Sequence, residues 1–386
     1  MTCKTLTFEG RKDMKNNAVY QRLGIAPVVN AGGTHTTHGG SMMRSEVINA
    51  MAIASQSFVD LSELKISTGK YVAKVTGAEG GMITCGAASG IVLATAACMT
   101  GTNESYIRKL PNTESMKNEI LMQFNHYGVY GNVHRFAGAN VTFAGNVSGC
   151  TSDELEGSIT KQTAGISYTY AHGYPLPSLS LEEVVTLAHR NGVPVMVDAA
   201  AMLPPKENLT KFVELGADLV IFSGGKFIGG PQSTGLLFGN KNLVESALLN
   251  SGPNPSIGRP QKVGREELVG MVTALELYVE SDENEIIDRM TRQAEHVCSK
   301  IGGIQGVNVA VKMDRQKYFV PTCVIGFQSN GSEKAKSVAN LMHEGNPRVY
   351  VAKSDIEIAI NPFNLRTGEE NIVSDRLLDV LQSIDN

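Results

Sequence analysis

The stretch Asp218-Leu219-Val220-Ile221-Phe222-Ser223-Gly224-Gly225-Lys226 decides how this chain is read. Four apolar residues, bounded by an aspartate and a Ser-Gly-Gly turn, have the length and composition of a buried strand. The turn leaves a lysine just past the strand's carboxyl end. Upstream, Val193-Pro194-Val195-Met196-Val197 is a second apolar strand, ending in Asp198-Ala199-Ala200-Ala201. Short strands that are apolar throughout and separated by helical patterns belong to a parallel sheet covered on both faces. Ligands of such sheets bind beyond the carboxyl ends of the strands. Asp198 and Lys226 both stand there. Singly, each has a plain structural reading: an aspartate capping a helix, and a surface lysine after a glycine turn. Together and in this order, they point to a site.

A strand-end carboxylate followed by a strand-end amine is what pyridoxal 5′-phosphate (PLP) requires. The lysine amine condenses with the aldehyde, and the carboxylate keeps the pyridine nitrogen protonated, so that the ring accepts electrons. A third piece is Thr84-Cys85-Gly86-Ala87-Ala88-Ser89-Gly90, set between a short strand, Gly81–Thr84, and an apolar helix, Ile91–Met99. Small residues at a helix N-terminus leave backbone N–H groups open, and the helix dipole favours a phosphate there. Gly86, Ala87, Ala88 and Ser89 are therefore expected to form a phosphate cup, with Ser223 adding a hydroxyl. Such a turn alone is also common tight packing; its place ahead of the aspartate and the lysine gives it weight. Neither Gly86 nor Gly224 opens a dinucleotide-binding glycine fingerprint, and no Ser or Thr follows Lys226 as a P-loop would demand.

Around this frame stand further candidates. His126, in Gln123-Phe124-Asn125-His126-Tyr127, falls at the end of a strand. It has two readings, a ring stacked on the pyridine or a buried structural histidine; Tyr127 is the alternative stacking residue. His172 follows the strand that ends at Tyr170 and is a candidate substrate contact, or else a loop histidine. The glycine-rich segment from Asn30 to Gly40 reads as a loop over the site, with Thr34 and His38 touching substrate. His35 and His38 have no acidic or thiol neighbour, so no metal is expected. Arg366, in Asn361-Pro362-Phe363-Asn364-Leu365-Arg366, is either a bidentate clamp for a substrate carboxylate or a surface residue before a helix. Arg259-Pro260-Gln261-Lys262 is a basic link that contacts phosphate or is simply solvated.

The bulk numbers fit a globular chain of two domains. The chain has 386 residues, 42% hydrophobic and 19% charged, which allows one large domain and a smaller one. A net charge of −4 makes no electrostatic case for nucleic acid or an anionic membrane. Cysteines 3, 85, 98, 150, 298 and 323 form no Cys-x-x-Cys and are expected to be reduced. The N-terminal residues lack the apolar core of a signal peptide, so the expected setting is the cytoplasm. Residues 1–60 read as an N-terminal arm with the substrate loop, 61–260 as a large cofactor-binding α/β domain, and 261–386 as a small α+β domain. The last of these opens on one long helix from about Arg265 to Lys300.

Val197-Asp198-Ala199-Ala200-Ala201, Ser223-Gly224-Gly225-Lys226 and Gly230-Pro231-Gln232-Ser233-Thr234-Gly235 together resemble the fold-type I PLP enzymes. Within these, the chain looks most like the group related to bacterial selenocysteine synthase (seryl-tRNA selenium transferase), which includes D-glucosaminate-6-phosphate ammonia-lyase. Thr76-Gly77-Ala78-Glu79, and Leu179–Val184 with Gly192–Val195 just after it, extend the resemblance, as does Gly24–Thr34. It spans nearly the whole chain from about Tyr20. It implies a mainly parallel seven-stranded sheet between helices and a smaller α+β domain. It also implies Lys226 as the Schiff-base residue, Asp198 as the ring-nitrogen partner, Gly86 to Ser89 as the cup, and a homodimer or larger assembly sharing its sites. One departure stands out. Relatives often carry a basic residue soon after the lysine, whereas Phe227-Ile228-Gly229-Gly230 has none.

Holding a tRNA calls for extra N-terminal sequence and a basic face, and this chain is expected to have neither. The leading expectation is elimination of ammonia and water from an amino-sugar acid such as D-glucosaminate 6-phosphate. Lys226 would be the base at Cα, and a 2-keto acid and ammonia the products. An amino-acid racemase using His126, Tyr127 or His172 as second acid, and a PLP-binding regulatory protein without turnover, stay open.

Overall fold

The computed structural model describes residues 18–170, 178–314 and 319–384. Its described residues form two compact units: 34–286 with 314 and 319 in the larger, and 18–33 with 287–313 and 320–384 in the smaller. The chain thus divides near 33 and 286, not near 60 and 260. The expected long helix is two, Arg265–Glu280 and Glu283–Ile301. Ser281 turns to extended geometry (φ −65°, ψ 150°), and Asp282 accepts the Asn284 N–H at 2.8 Å, starting the second helix.

In chain order the strands are β1 (Val28–Ala31), β2 (Gly80–Thr84), β3 (Glu119–Gln123), β4 (Asn140–Ala144), β5 (Thr163–Thr169), β6 (Val195–Asp198), β7 (Leu219–Ser223), β8 (Gly235–Gly239), β9 (Val307–Lys312), β10 (Thr322–Phe327), β11 (Arg348–Lys353) and β12 (Glu357–Ile360). The larger unit holds a seven-stranded sheet in the order β2-β8-β7-β6-β5-β3-β4. The β3/β4, β3/β5, β5/β6 and β6/β7 pairs are parallel, and β8 runs antiparallel to both β7 and β2. Central strands are buried almost end to end, as the unbroken apolar runs of β6 and β7 require.

The helix Gly86–Thr100 is buried on nearly every side. Its small residues allow this. A Cβ on Gly90 would sit 2.8 Å from Ile221 Cγ2, so helix and β7 approach more closely than larger residues permit. By contrast, Leu181–Arg190 is amphipathic, buries Leu181, Val184, Val185, Leu187 and Ala188, and starts at a capping box of Ser180 and Glu183.

The smaller unit holds a five-stranded sheet, β1-β11-β12-β10-β9. β1 pairs parallel to β11, and the other neighbours are antiparallel. Its core joins Ile325, Val349, Val351, Ile358 and Ile360 from the sheet to Ala335, Val338, Val373 and Leu377 from two covering helices. Val28-Val29-Asn30-Ala31, expected in an arm, is therefore a sheet strand.

Candidate active site

Because β8 reverses between β2 and β7, the carboxyl ends of β2, β3, β5, β6 and β7 and the amino end of β8 share one edge of the larger sheet. That edge gathers most of the residues singled out above. Asp198 ends β6, in register with Ile221 of β7 and Thr169 of β5. Its carboxylate Oδ1 accepts the Ala200 N–H at 3.1 Å. Burial raises the Asp198 pKa; the Ala200 N–H and the charge of Lys226 pull it back.

Lys226 leaves β7 through a turn that only glycine fits. A Cβ on Gly224 would lie 2.4 Å from Met271 Sδ and Thr234 Oγ1, and one on Gly225 would lie 2.5 Å from Gln232 Cα. The turn is closed by Gly224 N–H to Thr234 O at 2.8 Å and Gly230 N–H to Gly224 O at 2.9 Å. Lys226 is half-buried. Burial lowers its pKa and the charge of Asp198 opposes the shift. For both groups desolvation outweighs the mutual attraction, so each is pushed toward its neutral form. A protonated ring nitrogen against Asp198 would restore to the carboxylate the stabilisation that burial removes. The pair therefore fits PLP.

The proposed cup fits as well, with one change. Gly86 takes a positive φ of 78°, and Cys85, at the N-cap, makes no side-chain cap bond. Ala88 is exposed, and Gly86 and Ala87 are half-buried, so the helix start is open. A Cβ on Gly235 would lie 2.6 Å from Gly86 C and 2.8 Å from Ala87 N, so the start of β8 backs this turn directly. Ser89, however, is only 5% exposed, and its hydroxyl donates to Gln261 Oε1 at 2.7 Å. It ties the cup helix to the Arg259–Gln261 turn instead of facing outward. Ser223 ends β7 opposite Gly235 and is half-buried.

His126 is 2% exposed and packs edge-on against Tyr168, with centroids 4.6 Å apart. Burial lowers its pKa to about 4. These are the surroundings of a core histidine, with almost no ring surface left for a cofactor. Tyr127 stacks edge-on to Phe143. His172 lies outside the described residues. Arg366 is an exposed residue of the smaller unit, and its N–H donates to Glu369 Oε2 at 2.9 Å at the start of the last helix.

The loop from Thr34 to Gly40 is fixed to the lysine turn. Ser41 N and Oγ both donate to Gly225 O, at 3.0 and 3.1 Å, and Gln232 Nε2 donates to Thr36 O at 2.8 Å. Thr34 and His38 are half-buried on this loop, with His38 Nδ1 3.1 Å from Thr37 Oγ1. Two further residues lie near this edge. Burial, then the charge of Lys226, lowers the His35 pKa. Tyr170 donates its N–H to Asp198 O at 2.9 Å, with Lys211 Nζ 5.5 Å from the centre of its ring. A lone Tyr at a strand end carries no sequence signal; His35 did, but only as a metal ligand.

A family model described as aminotransferase class-V matches residues 110–345. The chain is 31% identical to a Streptomyces 5′-C-glycyluridine monooxygenase-decarboxylase, over 94% of this chain and 92% of that protein. It is 30% identical to the Salmonella typhimurium D-glucosaminate-6-phosphate ammonia lyase, over 94% of this chain and 98% of that one. An L-seryl-tRNA(Sec) selenium transferase of Aquifex aeolicus is 26% identical, over 76% of this chain and 69% of that protein. Among solved structures, a D-glucosaminate-6-phosphate ammonia-lyase superposes with a TM-score of 0.83 at 29% identity, over 95% of this chain and 99% of that one. Nothing in the sequence reading pointed to a monooxygenase-decarboxylase.

Proposed function

This chain belongs to the aminotransferase class-V family and its cofactor is PLP, and we propose that it is an ammonia-lyase acting on an amino-sugar acid of the D-glucosaminate 6-phosphate type. What carries this reading is the pairing of Lys226 with Asp198 at adjacent strand ends, in a chain that aligns with 98% of a named ammonia lyase. When bound, PLP supplies an electron sink for the charge left at the substrate Cα once its proton is removed.

The chain's own residues divide the remaining work. Lys226 would hold the cofactor at its aldehyde, and its Nζ is the group that would take the substrate Cα proton. Burial lowers its pKa, which favours the neutral amine that a base needs. Asp198 would hold the ring nitrogen of the cofactor in its protonated form. Backbone N–H groups at Gly86, Ala87 and Ala88 would hold the phosphate, with the Ser223 hydroxyl as a further donor. Thr34 and His38 meet the substrate from their loop. The substrate loses its β-hydroxyl as water, regains water at Cα, and leaves as a 2-keto acid and ammonia.

No helix among the described residues is long and apolar enough to cross a membrane. Within the same proposal the protein is a cytoplasmic homodimer. Ile53 and Phe58 of the larger unit are 70% and 95% exposed, and a subunit contact there would cover them.

A second reading rests on the 31% identity to the monooxygenase-decarboxylase. One experiment separates them: incubation with D-glucosaminate 6-phosphate in D2O, followed by NMR, an ammonia assay and an oxygen electrode. Ammonia with the matching keto acid supports the lyase. Deuterium at Cα without ammonia moves the reading to a racemase, and oxygen uptake with loss of CO2 to the second relative's chemistry. Absence of Cα exchange with any amino acid would leave a PLP-binding protein without turnover. Lys226→Ala should abolish both cofactor anchoring and turnover.

A further inference from the structure

The loop that carries Lys226 closes against one helix, Arg265–Glu280, and three residues at helical spacing make the contact. Glu267 Oε1 accepts the Ser233 hydroxyl, while its Oε2 accepts the Gly264 N–H at 2.8 Å, which fixes the carboxylate at the helix start. A Cβ on Gly270 would stand 3.1 Å from Pro231 Cγ. Met271 makes the deepest contact. Its side chain is fully buried, and its Sδ lies 3.0 Å from Thr234 Oγ1. A Cβ on Gly230 would stand 2.7 Å from the same sulfur, and one on Gly224 closer still. These three residues are the ones that close the loop on itself. Gly224 N–H donates to Thr234 O at 2.8 Å, and Gly230 N–H donates to Gly224 O at 2.9 Å. Inside the closure, the Gly229 N–H donates to Lys226 O at 3.0 Å. One sulfur therefore packs on every closing residue of the lysine loop. A thioether suits the place: it is long, apolar and a soft acceptor for the Thr234 hydroxyl, and the two glycines let the backbone come this near.

We propose that Met271 is a positioning residue for Lys226. Its thioether is the stop against which the Gly224–Thr234 loop seats, and so it fixes where the lysine amine is presented to the cofactor aldehyde. Met271 acts through the loop, and no bond is made or broken at its sulfur. The leverage is large because a reacting group displaced by about 1 Å can lose on the order of a hundredfold in reactivity. The inference rests on Lys226 being the residue that joins the cofactor.

The test measures the affinity of full-length apoprotein for three probes: PLP, pyridoxal, and pyridoxine 5′-phosphate. The last has an alcohol in place of the aldehyde and cannot join an amine. Met271→Ala should weaken PLP and pyridoxal by roughly ten- to a hundredfold and leave pyridoxine 5′-phosphate nearly unchanged. Met271→Val, a smaller truncation, serves if the alanine variant does not fold. Leu275→Ala, which truncates an equally buried residue one turn on, should lower stability and leave all three affinities in place. Gly230→Ala should also weaken the two aldehydes, because its methyl meets Met271 Sδ. The double variant Gly230→Ala with Met271→Ala should bind PLP more tightly than Gly230→Ala alone, since the methyl then enters vacated space. Unchanged PLP binding by Met271→Ala, equal weakening of all three probes, or a double variant no better than Gly230→Ala overturns the inference and leaves the proposed function standing. A wild-type chain that binds PLP no more tightly than pyridoxine 5′-phosphate would overturn the role of Lys226, and with it both the proposed function and this inference.

Discussion

Gly235→Ala is the sharpest probe of where the cofactor phosphate sits. The added methyl would lie 2.6 Å from Gly86 C, 2.8 Å from Ala87 N and 2.8 Å from Thr84 Oγ1. Two of the three are backbone atoms of the cup, so no side-chain rotation relieves the contact. Restoring ordinary contact at roughly 3.5 Å moves the helix start by nearly 1 Å, and overpacking of this kind costs about 1–3 kcal/mol. If that strain is released only when the cup gives way, PLP affinity falls by roughly 5- to 150-fold at about 1.4 kcal/mol per decade. Gly90→Ala is the control: it sits in the same helix, and its methyl meets Ile221 Cγ2, a side-chain atom, at 2.8 Å. It should lower stability and leave affinity nearly unchanged. The assay is absorbance titration of apoprotein with PLP and, in parallel, with pyridoxal, which lacks the phosphate. Weaker PLP binding with unchanged pyridoxal binding places the phosphate at Gly86. Equal weakening of both would refute the reasoning, because the damage would then lie in the lysine turn that Gly235 also faces through Ser223.

Asp198→Asn keeps the shape and the Ala200 contact but removes the charge that holds a ring proton; turnover should fall by on the order of a hundredfold or more while PLP still binds, as stopped-flow and absorbance would show. Acid should unfold the protein early. His126 and His134 are held near pKa 4 by burial, below the ordinary 6.5, so the unfolded chain binds more protons between those values and stability drops as pH falls through the window. Each should cost about 2 kcal/mol between pH 7 and about pH 5, read from urea melts; a flat stability over that range would show the two rings to be solvated. Phe58, 95% exposed and 5.1 Å from the Arg265 guanidinium, is expected at the subunit contact, so Phe58→Asp should shift the protein toward monomer by light scattering, and an unchanged mass would remove this face from the interface.

How much of this was legible in the sequence follows from how local each signal is. β6 and β7 are short apolar runs closed by Asp198 and by Ser-Gly-Gly-Lys226, so both strands and their two functional side chains can be read within a few residues of each other. β1 could not be read that way. Val28 and Val29 are too few to mark a strand, and their partners, Arg348 and Val349, lie at the far end of the chain. The division near 286 was masked because apolar spacing continues through Ser281 and Asp282, although a Ser-Asp pair is itself a helix-start signal. Ser89 and His126 show a different limit. Residue type made each a candidate ligand contact, but only packing shows the hydroxyl committed to Gln261 and the ring enclosed by Tyr168. Ser41 is the converse case: nothing in its own stretch marks it, yet its bonds to Gly225 O hold the loop against the lysine turn. A contact between residues so far apart in the chain leaves no pattern in either stretch, so the groups that tune a site are harder to read from sequence than the groups that react in it.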